Sequence, residues 1–154
     1  MRNFDNNIGR WCNKCGITYT RYCDDMTFSS DELLYPVYQK VKTMLEETGL
    51  ELNENKTHFV SSGSRQTVTG LTVNEKVSVS CEYKRQLRQE VHYALKFGLT
   101  ESTIAANRKK FIDEGLPNPN SYRQNLLGRI NFVLQIEPGN QWFRTAVGKL
   151  NEQG

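Results

Sequence analysis

Asp24 and Asp25 stand side by side in the stretch GITYTRYCDDMTFSS, residues 16 to 30. Adjacent carboxylates repel one another, and two of them held in a tight turn need a reason to stay ionised together. A divalent cation supplies one. Mg²⁺ prefers carboxylate oxygen, keeps much of its water and takes remaining ligands from substrate phosphates. Two such ions a few ångströms apart activate a hydroxyl nucleophile and neutralise a leaving pyrophosphate, the chemistry of in-line nucleotidyl transfer. The competing explanation is that aspartate tolerates turn geometry better than most residues, so an Asp-Asp pair can be a turn former and nothing else.

Other residues have types that carry chemistry. Cys12 and Cys15 have the spacing of half a zinc site, but no second Cys-x-x-Cys completes four ligands, and Cys81 and His92 are far along the chain from Cys23. Positions 12 and 15 of a helix share a face, which suits small core residues equally well. His58 and His92 read as ordinary strand and helix residues rather than catalytic bases. Tyr83, Tyr93, Phe97, Phe132, Trp142 and Phe143 could stack on bases, but their helical spacing predicts core packing for most of them. Lys84, Arg85, Arg88, Arg108, Lys109 and Lys110 are individually ordinary cations able to meet phosphates.

The elements that must position these residues follow from periodicity. Residues 5–15 have a helical rhythm, with Phe4, Ile8, Trp11 and Cys12 on one side and Gly16 placed to end it. ITYTRYC and MTFSS, rich in β-branched and aromatic residues, flank the aspartate pair as the strands of a hairpin. Ser30 with Asp31 and Glu32 makes a helix start, and Val37, Val41, Met44 and Leu45 recur until Gly49. LELNENKTHFV (50–60) reads as a turn and strand. QTVTGLTVNEKVSVS (66–80) reads as a second hairpin, its valines alternating around Asn74-Glu75-Lys76.

From about residue 82 the texture turns helical. Tyr83, Leu87, Val91 and Ala94 form one face, with Lys84, Arg85, Arg88 and Lys96 largely off it. Further helices are predicted over 101–114, ending at Gly115, and over 120–136 with Tyr122, Leu126, Ile130 and Val133. A last one starts near Gly139 and carries Trp142, Phe143, Ala146 and Leu150. The order is α-β-β-α-β-β-β and then helices: an α+β part over 1–80 and a helical part over 81–154.

At 154 residues the chain fits one domain, or one and a half small ones. No apolar run is long enough to span a bilayer, and MRNFDNNIGRW lacks the basic-then-apolar build of a signal peptide. The expectation is a soluble, cytoplasmic protein whose four cysteines are thiols rather than a disulfide framework. The net charge of +3 is unevenly spread. Residues 1–80 carry 9 Lys and Arg against 10 Asp and Glu, whereas residues 81–154 carry 11 against 7. A basic helical part suggests a polyanion partner.

The surroundings of the aspartate pair decide between the two readings of it. YTRYCDDMTFS resembles the Tyr-x-Asp-Asp hairpin of reverse transcriptases, and its flanks resemble the bacterial retron branch. LELNENKTHFV is similar to that family's next block, VTGLTVN to a block that follows the palm, and LLGRINFVLQIEP to the thumb segment. The four blocks stand in the family's order and cover nearly the whole chain. The resemblance implies an α+β fold: the C-terminal half of a polymerase palm, with antiparallel hairpins and a helix, over 1–80, and a helical thumb over 81–154.

It also implies RNA-directed DNA synthesis with two Mg²⁺ ions, in a cytoplasmic, antiviral-defence setting. Asp24 and Asp25 would be the metal-binding catalytic carboxylates. Tyr22 and Cys23 would sit by the primer terminus, with Cys23 in place of this branch's usual Ala, and Lys56 would approach the incoming dNTP. Val68, Thr69 and Gly70 would help recognise the family's own structured RNA. Lys84, Arg85 and Arg88 would meet the backbone of the RNA template and the RNA–DNA duplex.

The fingers and the palm strand carrying a third catalytic aspartate have no counterpart here, so the expectation is a C-terminal fragment without polymerase activity of its own. Its uncovered sheet edge should drive self-association, or docking onto the missing N-terminal portion. Two further expectations compete. One is a non-catalytic RNA-binding module derived from a reverse transcriptase, although binding alone has no need of the aspartate pair. The other is a zinc-stabilised interaction domain.

Overall fold

Helix α1 (Arg2–Lys14) buries Phe4, Ile8 and Cys12, the row that the periodicity marks out. The computed structural model describes residues 1–105, 111–113 and 116–153, with the backbone alone at 112 and 113. Gly16 ends α1 as expected, at φ +68°. Its N–H meets the Asn13 carbonyl and the Ile17 N–H reaches the Cys12 carbonyl at 2.9 Å, so Ile17 folds back onto Cys12 and both enter the core.

Strands β1 (Thr18–Tyr22) and β2 (Asp25–Ser29) pair antiparallel, with Tyr22 opposite Asp25 and Thr18 opposite Ser29. Helix α2 (Tyr35–Glu46) buries Val37, Val41 and Leu45 against α1 residues and closes at Gly49, φ +73°, where the Leu50 N–H bonds to the Leu45 carbonyl at 3.0 Å. Tyr19, Met26 and Phe28 cover the same core from one face of the hairpin. These elements make a compact unit of residues Met1–Ser64.

Two expectations fail in this unit. Helix α2 starts at Tyr35, not near Ser30: Ser30 Oγ accepts the Glu32 N–H at 3.0 Å in an isolated turn. Pro36 explains the delay, because a helix begun earlier would drive its ring against the carbonyl four residues back. LELNENKTHFV forms no strand but a 3₁₀ turn, Glu54–Lys56. Glu54 Oε1 pins that turn to α2 by accepting from Tyr38 Oη at 2.6 Å and Lys42 Nζ at 3.2 Å, so side-chain bonding outweighs the weak strand pattern.

The second unit, Arg65–Gly154, has its own core. The predicted hairpin of 66–80 is a three-stranded antiparallel sheet of β3 (Thr67–Val68), β4 (Leu71–Thr72) and β5 (Ser78–Val79). The extra reversal is the two-residue turn Thr69-Gly70, with φ at +47° and +84°. Helix α3 (Cys81–Phe97) is capped by Ser80 Oγ, which accepts the Tyr83 N–H, and stops at Gly98, φ +87°. Helix α4 (Leu99–Ala105) follows.

The helix expected over 101–114 is corrected at its end, because Ile112–Asp113 is a strand, β6, paired antiparallel with β7 (Leu116–Pro117). Pro117 forces its predecessor into extended backbone, and the Asn118 N–H closes onto the Phe111 carbonyl at 2.7 Å. The predicted stop at Gly115 lies outside the described residues.

Helix α5 (Pro119–Ile136) starts where Asn118 Oδ1 accepts the Ser121 N–H, and α6 (Gln141–Asn151) follows a short corner. Leu87, Val91, Ala94, Tyr122, Leu126, Ile130, Val133, Phe143, Ala146 and Leu150 interlock as the core that the helical rows predict. Burying each of the larger side chains is worth about 1.5–3 kcal/mol. The fold is α+β with small antiparallel sheets, and among the described residues no helix is long and apolar enough to cross a membrane.

Candidate active site

The aspartate pair sits where a hairpin would put it. Tyr22 and Asp25 are the last paired residues of β1 and β2, and Cys23 and Asp24 alone make the connection. Cys23 adopts φ +54°, a left-handed conformation unusual for a residue with a side chain. Strand alternation puts Tyr19, Arg21, Met26 and Phe28 on the face toward the core. Thr18, Thr20, Tyr22, Asp25, Thr27 and Ser29 fall on the other. Tyr22, Cys23, Asp24 and Asp25 are all exposed, so the turn presents both carboxylates and a phenol to solvent on one open tip.

Arg21 braces this tip. Its Nε and Nη2 donate to Asp5 Oδ1 and Oδ2 at 2.7 and 2.6 Å, a forked pair that ties β1 to the first turn of α1. Its Nη1 donates to the Cys23 carbonyl, inside the turn itself. Tyr19 Oη gives Asp5 Oδ1 a further hydrogen bond at 2.8 Å. The hydrogen bonds from Arg21 hold the Asp5 carboxyl below its ordinary range against the opposing effect of partial burial. Burial, and then the bond to Asp5, push the Tyr19 phenol up to about 12. Neither Asp5 nor Arg21 stands out in the sequence as a site residue. The spacing of Arg21 two residues before Cys23, on the inward face, is the only signal that could have found it.

The donors suit Mg²⁺ in kind: two hard carboxylates on an open turn. They are incomplete in number, since among the described residues no three His, Cys, Asp or Glu side chains converge into a metal-holding group. The same observation bears on zinc. Cys12 lies buried in the core of its unit, where burial pushes its thiol up, while Cys15, Cys23 and Cys81 are exposed.

The other candidates are placed as follows. Lys56 is exposed at the end of the 3₁₀ turn, and His58 is exposed in a loop rather than a strand. In the second unit, Val68 is half-buried while Thr69 and Gly70 form the exposed tip between β3 and β4. On α3, Arg85 is exposed, and Arg88 lies over the rings of Trp142 and Phe143 at 5.7 and 5.3 Å. Lys84 is engaged internally: its Nζ donates to Glu137 Oε1 at 2.6 Å, with both side chains about 85 % covered. Glu137 also takes the Val79 N–H at 3.0 Å and Asn140 Nδ2 at 3.1 Å. Burial alone would push its carboxyl up, but these hydrogen bonds outweigh it and hold the group low.

Arg108, Lys109 and Lys110 lie outside the described residues. Core packing holds for Phe143 and partly for Tyr83, but Tyr93, Phe97, Phe132 and Trp142 are exposed. Positions 93 and 97 fall off the Leu87–Val91–Ala94 row, so α3 turns them to solvent, where they stack on each other at 5.8 Å.

No protein-family model matches the chain. Individual proteins do. Over 145 residues it is 34% identical to the retron Ec83 reverse transcriptase of Escherichia coli, an alignment covering 90% of this chain and 40% of that protein. Over 90 residues it is 38% identical to the retron Mx65 reverse transcriptase of Myxococcus xanthus, covering 57% and 21%. The retron Mx162 reverse transcriptase of the same organism is 31% identical over 106 residues, covering 57% and 22%. The chain thus spans between about a fifth and two fifths of the length of these relatives.

Proposed function

Because the chain belongs to the retron reverse transcriptase family, we propose that it supplies the aspartate-bearing part of an RNA-directed DNA polymerase. In this reading residues 1–80 are the C-terminal half of the palm and residues 81–154 the helical thumb. Asp24 and Asp25 provide two carboxylate ligands for a pair of Mg²⁺ ions. When bound, those ions would lower the barrier to attack by a primer 3′-hydroxyl and neutralise the departing pyrophosphate. The chain's own residues present and orient the carboxylates. Tyr22, directly across the ladder from Asp25, would sit by the primer terminus.

The observation that carries this reading is the two-residue turn that exposes Asp24 and Asp25 together at the end of a braced hairpin. A turn former needs no such brace. In this reading a third carboxylate would come from the portion of the relatives that this chain does not span. Lys56 would approach the dNTP. Thr69 and Gly70, at a strained exposed tip, and the half-buried Val68 beside it would contact structured RNA. Arg85 and Arg88 would meet the phosphates of template and duplex, while the ion pair with Glu137 makes Lys84 a support for that surface.

The exposed Thr69-Gly70 tip and the exposed Arg85 also suit a second reading, an RNA-binding module without catalysis. The two separate cleanly. Asp24→Asn in the assembled enzyme should abolish primer extension on an RNA template and leave RNA affinity within about twofold, because an amide keeps the shape and removes the ligand charge. Normal extension by that variant would discard the catalytic reading.

A further inference from the structure

We propose that Arg21, oriented by Asp5, is the positioning residue that fixes the Cys23–Asp24 turn and thereby the direction in which both carboxylates are presented. The inference rests on the catalytic reading of the aspartates for its purpose, but its physical content stands on the hairpin alone. A two-residue connection leaves Cys23 at φ +54°, a left-handed conformation that is strained for a residue with a side chain and needs a contact to hold it. The Cys23 carbonyl accepts from Arg21 Nη1, so the guanidinium holds the turn at the strained residue.

The guanidinium in turn is not free to swing. Its other two nitrogens grip both oxygens of Asp5 at 2.7 and 2.6 Å, and Tyr19 Oη fixes that carboxylate at 2.8 Å. Asp5 belongs to α1, whose Phe4 and Ile8 are buried, so the brace is anchored in the core. A planar five-donor group can bind a carboxylate and a carbonyl at once, and a lysine ammonium cannot reproduce that fork. The path runs from core helix to Asp5, to Arg21, to the Cys23 carbonyl, and so to Asp24 and Asp25. Arg21 itself faces the inner side of the hairpin, away from Asp25, and acts only through the backbone.

The test uses the full chain, labelled with ¹⁵N, and Mn²⁺ as the metal probe. In the wild type the amides of Cys23, Asp24 and Asp25 should show order parameters near the rigid value of about 0.85. In Arg21→Gln those three should fall toward about 0.6, while Thr27 and Phe28 stay rigid. Arg21→Lys should lie between. Asp5→Asn, which keeps the carbonyl bond but loosens its donor, should also mobilise the turn. Unchanged turn order parameters in folded Arg21→Gln, or in Asp5→Asn should the first variant fail to fold, would overturn the inference, even if the melting temperature drops.

The catalytic reading is tested separately, by whether Mn²⁺ broadens the wild-type turn and whether Asp24→Asn and Asp25→Asn abolish that broadening. Broadening that persists in both variants counts against that reading and leaves the role of Arg21 intact. Where Mn²⁺ does bind, its midpoint should rise several-fold in Arg21→Gln. An unchanged midpoint would show that the brace does not serve the carboxylates.

Discussion

Arg21 grips both oxygens of Asp5, at 2.7 and 2.6 Å, and with its remaining nitrogen holds the carbonyl of Cys23. A helix whose sequence shows only an amphipathic rhythm thus takes part, through Asp5, in setting the geometry of a turn whose Cys23 lies 18 residues further along the chain.

The Asp5 carboxyl carries a pH signature. Its folded-state pKa is depressed below 3.8, first by the hydrogen bond from Arg21. Stability from a depressed carboxyl is present above the unfolded value and is lost as pH falls through the folded one. The wild type should therefore melt at a higher temperature than Asp5→Asn at pH 7, and the two curves should converge in acid below pH 3.8. Melting temperatures measured across that range check it, and a gap that persists in strong acid would contradict it.

Lys84 and Arg85 are neighbours in sequence with opposite expected phenotypes. Lys84→Gln leaves Glu137 covered without its cation and should destabilise the second unit by roughly 2–3 kcal/mol, read by urea denaturation. Arg85→Gln should change stability by less than about 0.5 kcal/mol. If Arg85 meets a phosphate, its loss should flatten the dependence of log duplex affinity on log salt by about 0.7–0.9. An unchanged slope would mean that Arg85 faces bulk water only.

Thr69 holds φ +47° and Gly70 φ +84° at the β3–β4 tip. A β-branched residue is strained there, and nothing within 4 Å would meet a Cβ added to Gly70, so backbone conformation alone decides the outcome. Thr69→Gly should stabilise the chain by up to about 1 kcal/mol, and Gly70→Ala should destabilise it by about the same. If the tip contacts RNA, Thr69→Gly should gain stability and lose affinity together, measurable by melting and by titration with retron RNA.

Much of this was legible in the residues. The apolar rows of α1, α2, α3, α5 and α6, the glycines at 16 and 49, and the Asp24–Asp25 hairpin each follow a local rule: 3.6-residue periodicity, left-handed caps, or turn chemistry. The failures are places where one residue or a distant partner overrides the local pattern. Pro36 delays α2, and Pro117 with the Phe111 carbonyl makes 112–113 extended. Glu54 is drawn to Tyr38 and Lys42 instead of letting 50–60 extend.

At the site, the exposed aspartates could be read from their spacing. The Asp5–Arg21 brace and the Lys84–Glu137 pair could not, because their partners lie 16 and 53 residues apart and only the fold brings them together.

The most direct test of the central claim is primer extension with Mg²⁺ on a primed RNA template. The chain is assayed alone and together with the fingers and remaining palm of a retron reverse transcriptase supplied as a second polypeptide. No synthesis is expected from the chain alone, and synthesis is expected from the associated pair. In that pair, Asp24→Asn or Asp25→Asn should each slow extension on the order of a thousandfold. Robust synthesis by the 154 residues alone, or near-normal rates for both asparagine variants in the pair, would contradict it.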